Sequence, residues 1–327
     1  MAINFPDSPT DGQVFGERKY NATKGVWEWY VLPGDTTAQD LLLPGQRIAY
    51  DLEYLVIAGG GSASARWHSG GGGAGGYRSS VSGESSGGGA SAETKIAVAA
   101  GSSFSVSIGA GGAGVRNDQG NINGNSGTDS YCGSVTSAGG GRAGTYGVTG
   151  ATGGSGGGGG GNTSGNASGT AGQGYPGGSG SPELNGNGGG GGGAGQQGQD
   201  AVVNLSGGDG GNGVQSFITG VGTYYAGGGG GAYYLGSING QGGLGGGGDA
   251  TAGDGQDGET NKGGGGGASR EGSSFTYSGS GGSGIVILRY SKDLSISVNP
   301  GLVSQTNVID DYKITTITSG TDTISFS

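Results

Sequence analysis

Residues 53–61 read EYLVIAGGG, and residues 62–78 continue as SASARWHSGGGGAGGYR. The apolar run predicts a buried strand, and the glycines after it fit either a dinucleotide-binding loop or a scaffold built from glycine. A dinucleotide loop must lead into a helix, whose N-terminus holds the pyrophosphate, with an acidic residue about twenty positions later. Here the WHS triplet runs into more glycine, and Glu84 lies within SGESSGGG. The sequence therefore favours the scaffold.

Glycine dominates the composition, with 92 of 327 residues, and it makes up roughly one residue in three between positions 51 and 290. Collagen is excluded because there are only 7 prolines and the tract 156–161 breaks any Gly-X-Y repeat. Disorder is the alternative to an ordered glycine structure, since an unpacked glycine chain gains little burial to offset its ordering entropy. We favour the ordered structure.

The formal net charge of −10 argues against nucleic-acid binding, because no stripe of Lys and Arg is present to neutralise phosphates. A single cysteine, Cys132, excludes an intramolecular disulfide and predicts a small buried thiol. The opening MAINFPDSPT has no features of a secretory signal, and no apolar run is long enough for a transmembrane helix. We therefore expect no membrane insertion and, if the protein acts outside a cell, release by lysis or as part of a particle.

Residues 1–32 form a distinct opening unit. The segments Gln13–Tyr20 and Val26–Val31 predict the two strands of a hairpin around a turn at residues 21–25. Thirty residues bury little surface, so the aromatic side chains need either the rest of the chain or a partner to cover them. We interpret the unit as an attachment module, with these candidate contact residues: Phe5, Phe15, Tyr20, Trp27 and Trp29.

The remainder predicts an all-β class, because no stretch has helical periodicity. Residues 33–50 are interpreted as a linker, residues 51–290 as the glycine-rich domain and residues 291–327 as a C-terminal β segment. That last segment could be a third unit or could complete the sheets of the middle domain. The predicted strands are Leu52–Ala58, Lys95–Ala100, Phe104–Ile108, Ile285–Tyr290, Leu294–Val298, Lys313–Thr318 and Thr321–Phe326.

Glycine tracts can form the extended polyglycine II helix, which has three residues per turn and leaves every N–H and C=O free to bond neighbouring helices. In this form residues 186–198 would span ~37 Å. Ordering a residue costs about as much free energy as a backbone hydrogen bond returns. A glycine lattice therefore needs an apolar frame, which the bracketing strands can supply.

Several stretches carry a family resemblance: EYLVIAGGG, KIAVAAGSSFSVSIGAGGAG, SFITGVGTYYAGGGGGAYY and GGSGIVILRY. They resemble the glycine-rich domain of tailed-phage virion proteins, notably those of marine and cyanobacterial phages. The opening FPDSPTDGQVF and YNATKGVWEW resemble a short module of tail-fibre and tail-associated proteins. The resemblance implies a polyglycine-helix sandwich on a jelly-roll-like strand frame, like the tail-fibre tip adhesins of T-even-like phages and the glycine-rich domain of anaplastic lymphoma kinase receptors.

What the resemblance implies for function is a virion tail appendage, a tail-fibre or tail-tip adhesin. Its opening unit would bind other virion proteins, and its loops would bind a bacterial or cyanobacterial surface receptor, either a glycan or an outer-membrane protein. The alternative is a non-adhesive structural virion protein, such as a capsid decoration or fibre connector. Aromatic residues that interrupt the glycine tracts suit receptor contact, although they could instead cap the lattice ends. They are Trp67, His68, Tyr146, Tyr175, Tyr224, Tyr225, Tyr233 and Tyr234.

Catalytic chemistry is disfavoured. His68 is the single histidine, so a metal site with two or more histidine ligands cannot form, and a Ser-His-Asp triad could use no histidine other than this one. Paired carboxylates for glycoside hydrolysis are not excluded by counting, but such phage enzymes generally use a different, strand-rich fold. The acidic residues of GDATAGDGQDGE, at 248–259, are expected to form a solvated loop rather than a cation site. We predict no enzyme activity, cofactor or metal.

Overall fold

The computed structural model describes residues 14–15, 18–21, 26–29, 49–120, 122–184, 186–234, 238–270 and 275–327. The chain divides into two compact units, residues 1–49 and residues 50–327. Within the described ranges there are strands, turns and two three-residue 3₁₀ helices but no α-helix, so the all-β class is confirmed for them. The same ranges contain no helix long and apolar enough to cross a membrane.

The first unit contains a small antiparallel sheet of three strands, β1 (Val14–Phe15), β2 (Arg18–Asn21) and β3 (Val26–Trp29). The predicted hairpin is therefore present between β2 and β3, but its first strand is divided in two. Phe5 and most of the predicted linker lie outside the described residues. The strands include the other four candidate attachment residues, whose side chains are likewise outside the description.

The second unit is organised by a ten-stranded antiparallel sheet. The order along its main path is β5-β4-β12-β15-β7-β8-β9, with β6 paired to β4 and with β13 and β14 paired to β15. The end strands β5 and β9 contact each other, so the sheet is nearly closed. Its strands, which we call the frame, are β4 (Tyr50–Ile57), β5 (Tyr77–Ser79), β6 (Ile96–Val98), β7 (Ser103–Ser107), β8 (Ser130–Cys132), β9 (Val135–Ser137), β12 (Ile285–Ser291), β13 (Ile296–Val298), β14 (Leu302–Ile309) and β15 (Tyr312–Phe326).

The two predicted bracketing strands, β4 and β12, are neighbours, with Val56 opposite Val286. Each is buried on both faces. In β4, Leu52, Tyr54 and Val56 belong to the core inside the curled sheet. The intervening Leu55 and Ile57 belong to a second core on its other face. Burial on both faces explains why these strands are continuous apolar runs rather than alternating ones.

The single cysteine lies in the core inside the sheet. Cys132 is fully buried and unpaired in β8, as the sequence predicts. Burial raises the pKa of its thiol to about 12. The thiol therefore stays protonated and shielded from modifying reagents as long as the frame is folded.

Four glycine-rich insertions leave the frame, at residues 58–76, 108–129, 138–213 and 226–284; we call them the glycine body. The strand ends that border them are register partners: Ile57 pairs with both Tyr77 and Ile285, and Ser130 pairs with Ser137. Because paired residues lie side by side, the insertions that begin or end at these residues leave the sheet at one edge. The third insertion returns to the separate hairpin of β10 (Val214–Ser216) and β11 (Thr223–Tyr225), from which the fourth departs.

Backbone hydrogen bonds within the glycine body rotate among three neighbours. Along residues 58–65, successive N–H groups donate in turn to segments 70–76, 122–128 and 279–282, at 2.8–3.3 Å, and every third residue returns to the same neighbour. The segment 70–76 behaves in the same way toward segments 138–144, 189–192 and 263–266. Glycine permits the close approach: a Cβ on Gly229 would overlap the carbonyl oxygen of Gly266.

One detail of the sequence interpretation is wrong. Residues 186–198 do not run as one extended segment, because the chain reverses in the middle of the tract. The N–H of Gly193 donates to Gln196 at 2.9 Å, and that of Gly190 donates to Gln199 at 3.0 Å. The reversal places the two segments side by side, so that N–H groups of one are satisfied by carbonyl groups of the other.

Residues 291–327 complete the frame, which is the second of the two alternatives left open by the sequence. Two of the three predicted strands of this tail, Lys313–Thr318 and Thr321–Phe326, are one continuous strand, β15, which lies at the centre of the sheet between β12 and β7. The third, Leu294–Val298, corresponds to β13. Its outer neighbour β14, which the sequence analysis missed, is exposed along nearly its whole length. The tail thus supplies both a core strand and a free sheet edge.

Candidate functional site

The glycine body ends, away from the frame, in a set of chain reversals that we call the distal loops. They are residues 65–70, 115–122, 145–148, 232–239 and 268–278, with 121, 235–237 and 271–274 outside the description. Isolated bridges join them, between Ala65 and Ile122 and between Arg116 and Tyr277. These bridges fix three of the five loops to one another, although the loops come from distant parts of the sequence.

An aromatic cluster lies on the distal loops. The His68 ring has its centroid 4.8 Å from that of Tyr146 and 4.3 Å from that of Tyr234, and Trp67 is 5.6 Å from Tyr234. These tilted stacks are favourable arrangements for aromatic pairs. Four of the predicted receptor-binding residues therefore form one contiguous surface, and Tyr233 is next to it in the chain.

His68 anchors this cluster. Its imidazole is buried, and its Nδ1–H donates to the carbonyl oxygen of Gly186. Burial lowers the pKa of His68, although the hydrogen bond to Gly186 opposes the shift. The ring is therefore neutral at pH 7 and serves as a packed aromatic platform.

The side chain of Asn187 fixes the position of the Tyr234 backbone. The buried amide accepts the backbone N–H of Tyr234 at 2.7 Å. It donates at 2.8 Å to the carbonyl of Val202 and at 3.2 Å to that of Ser206. A single buried side chain thus fixes one aromatic loop to the neighbouring turn, which is how a rigid surface can be built from glycine-rich loops.

Arginines stack on aromatic rings at the same end. The Arg66 guanidinium lies 5.1 Å from the Trp67 ring, and that of Arg270 lies 4.4 Å from the Tyr233 ring and donates to its hydroxyl at 2.7 Å. These arginines were not among the residues predicted from the sequence. The adjacency of Arg66 and Trp67 within a glycine-rich region was a signal that could have identified the first of them.

A third stacked pair extends the surface. Arg116 lies 4.7 Å from the ring of Phe275 and 5.9 Å from that of Tyr277, and it also forms an ion pair with Asp118 at 3.3 Å. Both rings are more than half exposed. The sequence analysis did not select them because they belong to a loop without a long glycine tract.

Two residues of the cluster loop have a strained backbone. Arg66 and His68 have φ values of 89° and 66°, in the left-handed region that side chains other than glycine avoid. Strain of this kind costs on the order of 1–3 kcal/mol per residue. Glycine would occupy both positions without strain and is the commonest residue of the chain.

The other three predicted receptor-binding residues lie elsewhere. Tyr225 is buried in the core between the frame and the hairpin, together with Ile57. Tyr224 is 39% exposed in the same hairpin, and the hydroxyl of Tyr175 lies beside Gly89. These three tyrosines interrupt glycine tracts as the distal residues do, but they lie where the chain reverses direction close to the frame.

The acidic residues of the 248–259 segment act on the backbone. The Oδ1 atoms of Asp249, Asp254 and Asp257 accept N–H groups of Gly242, Tyr277 and Ser280 at 2.6–2.7 Å. Carboxylates thus satisfy donors at the surface of the glycine body. The described residues hold no group of three or more His, Cys, Asp or Glu side chains arranged for a metal ion.

The fold and these loops define an all-β protein in which a strand sheet carries a hydrogen-bonded glycine body with an aromatic distal surface. The chain belongs to the family with a glycine-rich domain, whose family model matches residues 43–291. This confirms the glycine-rich part of the resemblance. No match was found among curated proteins.

Proposed function

We propose that this chain is a phage virion protein, a tail-fibre or tail-tip adhesin that recognises a host surface receptor through its distal loops. One observation carries the proposal. Five of the eight aromatic candidates selected from the sequence lie on the loop end of the glycine body, where Trp67, His68, Tyr146 and Tyr234 are in ring contact. Rigid aromatic groups on a fixed scaffold are typical of recognition surfaces.

The finer architecture belongs to the same proposal. The segments of the glycine body are polyglycine II helices, packed as a sandwich on a jelly-roll-like frame. The rotation of hydrogen bonds among three neighbours along residues 58–65 supports this, because a helix with three residues per turn directs every third N–H to the same side. Such a body gives the distal loops a stiff support without a large apolar core.

The first unit is the attachment module to other virion proteins. Its three short strands cannot bury a core of their own, which supports a partner for Phe15, Tyr20, Trp27 and Trp29. In this arrangement the protein is a virion component with no enzymatic role.

The second candidate function is a structural virion protein that binds no receptor. The exposed edge strand β14 favours it, because Val303 and Val308 are 61% and 64% exposed and a free edge can pair with another chain. Under this alternative the distal aromatic residues would only cap the glycine body.

Competition for adsorption separates the two. Purified protein should block adsorption of virions that carry this chain, because it occupies their receptor. The Trp67→Ala variant should lose at least about tenfold in this competition, whereas Tyr224→Ala should keep it. The two side chains are matched, at 38% and 39% exposure. No competition by the wild-type protein would refute the adhesin proposal, and equal loss in both variants would refute the distal site.

A further inference from the structure

The arginines of the frame and those of the distal loops differ in the groups that they contact. On the frame, Arg78 and Arg289 form ion pairs with Glu93 and Glu53, and Arg289 also lies 5.7 Å from the Tyr312 ring. On the distal loops, Arg66, Arg116 and Arg270 all lie over aromatic rings. In a chain of net charge −10, this end therefore combines guanidinium groups with ring faces.

These groups lie on adjoining loops at the distal end. Arg66 Nη1 lies beside Gly120 of the next loop. That loop is bound to the one carrying Phe275 and Tyr277 through Asn117, which exchanges side-chain and backbone hydrogen bonds with Thr276 at 3.0–3.2 Å. Next to Arg66 in the chain, Trp67 contacts Tyr234, which contacts His68, and His68 contacts Tyr146. We call this surface the cationic ridge.

Resting on the proposed adhesin function, we propose that the cationic ridge binds an acidic polysaccharide of the host surface. Sugar rings present apolar C–H faces that pack on aromatic rings, and their carboxylate or phosphate groups match the planar fork of a guanidinium. A ligand that carries both features in each repeat engages both parts of the ridge. An acidic peptide would supply the charge but no flat faces for Trp67 and Tyr234.

The structure also limits where the negative groups of the ligand lie. Asp118 faces Arg116 at 3.3 Å, so part of the charge of that arginine is already compensated. Beyond Tyr277 lies a groove of ≈ 460 Å³ lined by Asp254 and Asp257, which repels an anion. The acidic groups of the ligand are therefore expected on the part of the ridge away from these three carboxylates.

Matched pairs of charged and esterified polymers test the charge requirement on the wild-type protein. The probes are polygalacturonate, alginate and hyaluronate, each compared with its methyl-esterified form, with dextran as a neutral polymer. We expect binding to at least one acidic polymer, a loss of about tenfold or more on esterification, and a decrease with rising salt. Equal binding of charged and esterified forms, or binding to dextran alone, would overturn the proposal.

Variants then assign the binding to the ridge. Arg66→Gln combined with Arg270→Gln should weaken acidic-polymer binding about tenfold or more, while Lys292→Gln, on an exposed turn of the frame, should stay within about twofold. If the double variant does not fold, the esterification comparison on the wild-type protein still decides. Virion competition distinguishes failure of the adhesin proposal from failure of the acidic-ligand proposal. If the wild-type protein does not compete with virions, the adhesin proposal is refuted. If the folded double variant still competes, only the acidic-ligand proposal is refuted. Capsule-deficient and lipopolysaccharide-deficient cells separate the two sources of such polymers.

Discussion

The frame and the glycine body are both densely packed, but they are held together by different forces. The frame buries large side chains such as Tyr54, Leu288 and Phe326 in a continuous core. In the glycine body the apolar cluster apart from the frame consists only of small side chains, Ala63, Ala232, Ala250 and Ala268, and the contacts are backbone hydrogen bonds. Apolar burial is a large net stabilising term, whereas backbone hydrogen bonds roughly offset the cost of ordering the chain.

This difference teaches that the glycine body depends on the frame for its stability, whereas the frame depends much less on the glycine body. The glycine body has little apolar surface of its own and is fixed by strand ends at one edge of the frame, where Ile57 pairs with Tyr77 and Ile285. Damage to the frame should therefore release the glycine body. Damage within the glycine body should cost less, and changes on the distal loops should cost least.

A charge in the frame should have the largest effect. Val56→Asp places an unpaired carboxylate at a position with 0% exposure, at a cost on the order of 4 kcal/mol or more. The whole second unit should unfold, which is measured by urea titration and by labelling of the Cys132 thiol. Val303→Asp, the same change at an exposed position of β14, should alter stability by about 1 kcal/mol or less. A folded Val56→Asp protein would contradict the dependence on the frame.

A side chain in the glycine body should have an intermediate effect. Gly229→Ala puts a Cβ against the carbonyl oxygen of Gly266, and the unfolding free energy should fall by about 1–3 kcal/mol because backbone segments must move apart. Gly253→Ala is the control, since no atom lies within 4 Å of its added Cβ. Equal urea midpoints for the two variants would show that close approach of glycine segments is unimportant.

Acid should weaken the frame through Glu53. Burial alone would raise the pKa of this carboxyl, but hydrogen bonds from Arg289 and Lys95 outweigh it and hold the pKa below its usual 4.5. The stabilisation is therefore complete above pH 4.5 and is lost as the pH falls through the lowered value. Glu53→Gln should lose about 1–3 kcal/mol at pH 7 and show a smaller further loss on acidification.

Glu259→Gln provides the control for that acid dependence. Its carboxylate is 60% exposed and pairs with Lys262, so the change should leave both stability and its slope with pH nearly unaltered. Urea titrations at several pH values between 3 and 7 give the comparison. Identical slopes for Glu53→Gln and the wild-type protein would remove Glu53 as the origin of the acid dependence.

The distal loops should contribute least to stability. Trp67→Ala removes one ring stack with Tyr234 at a partly exposed position, so unfolding free energy should fall by about 1 kcal/mol or less. The unfolding midpoint checks this on the same sample used for virion competition. A loss comparable to that of Gly229→Ala would mean that the aromatic cluster closes the glycine body rather than projecting from it.

The frame was predictable in part because burial on both faces leaves a strong signal. EYLVIAGGG and GIVILRY are continuous apolar runs, and both are frame strands. The three-residue strands β5, β8 and β9 escaped because short, polar-containing segments carry no periodicity. β14 escaped because an exposed edge strand has little apolar pattern.

The distal surface was predictable only as a set of residue types. Aromatic residues that interrupt glycine identified Trp67, His68 and Tyr146, but the same criterion also selected Tyr225, which is a core residue. Their association depends on which glycine segments lie side by side. That arrangement is set by backbone hydrogen bonds. Every glycine offers the same N–H and C=O groups, so the sequence does not indicate which segments pair or in which register.

Hydrogen exchange of the glycine amides tests the central claim most directly. Segments 70–76 and 226–231 donate their N–H groups to neighbouring segments, so these amides should exchange only through opening of the frame, at rates close to those of β4. Val56→Asp should abolish protection in both regions together. Exchange of the glycine amides at the rate of an unstructured chain, with β4 still protected, would contradict the account.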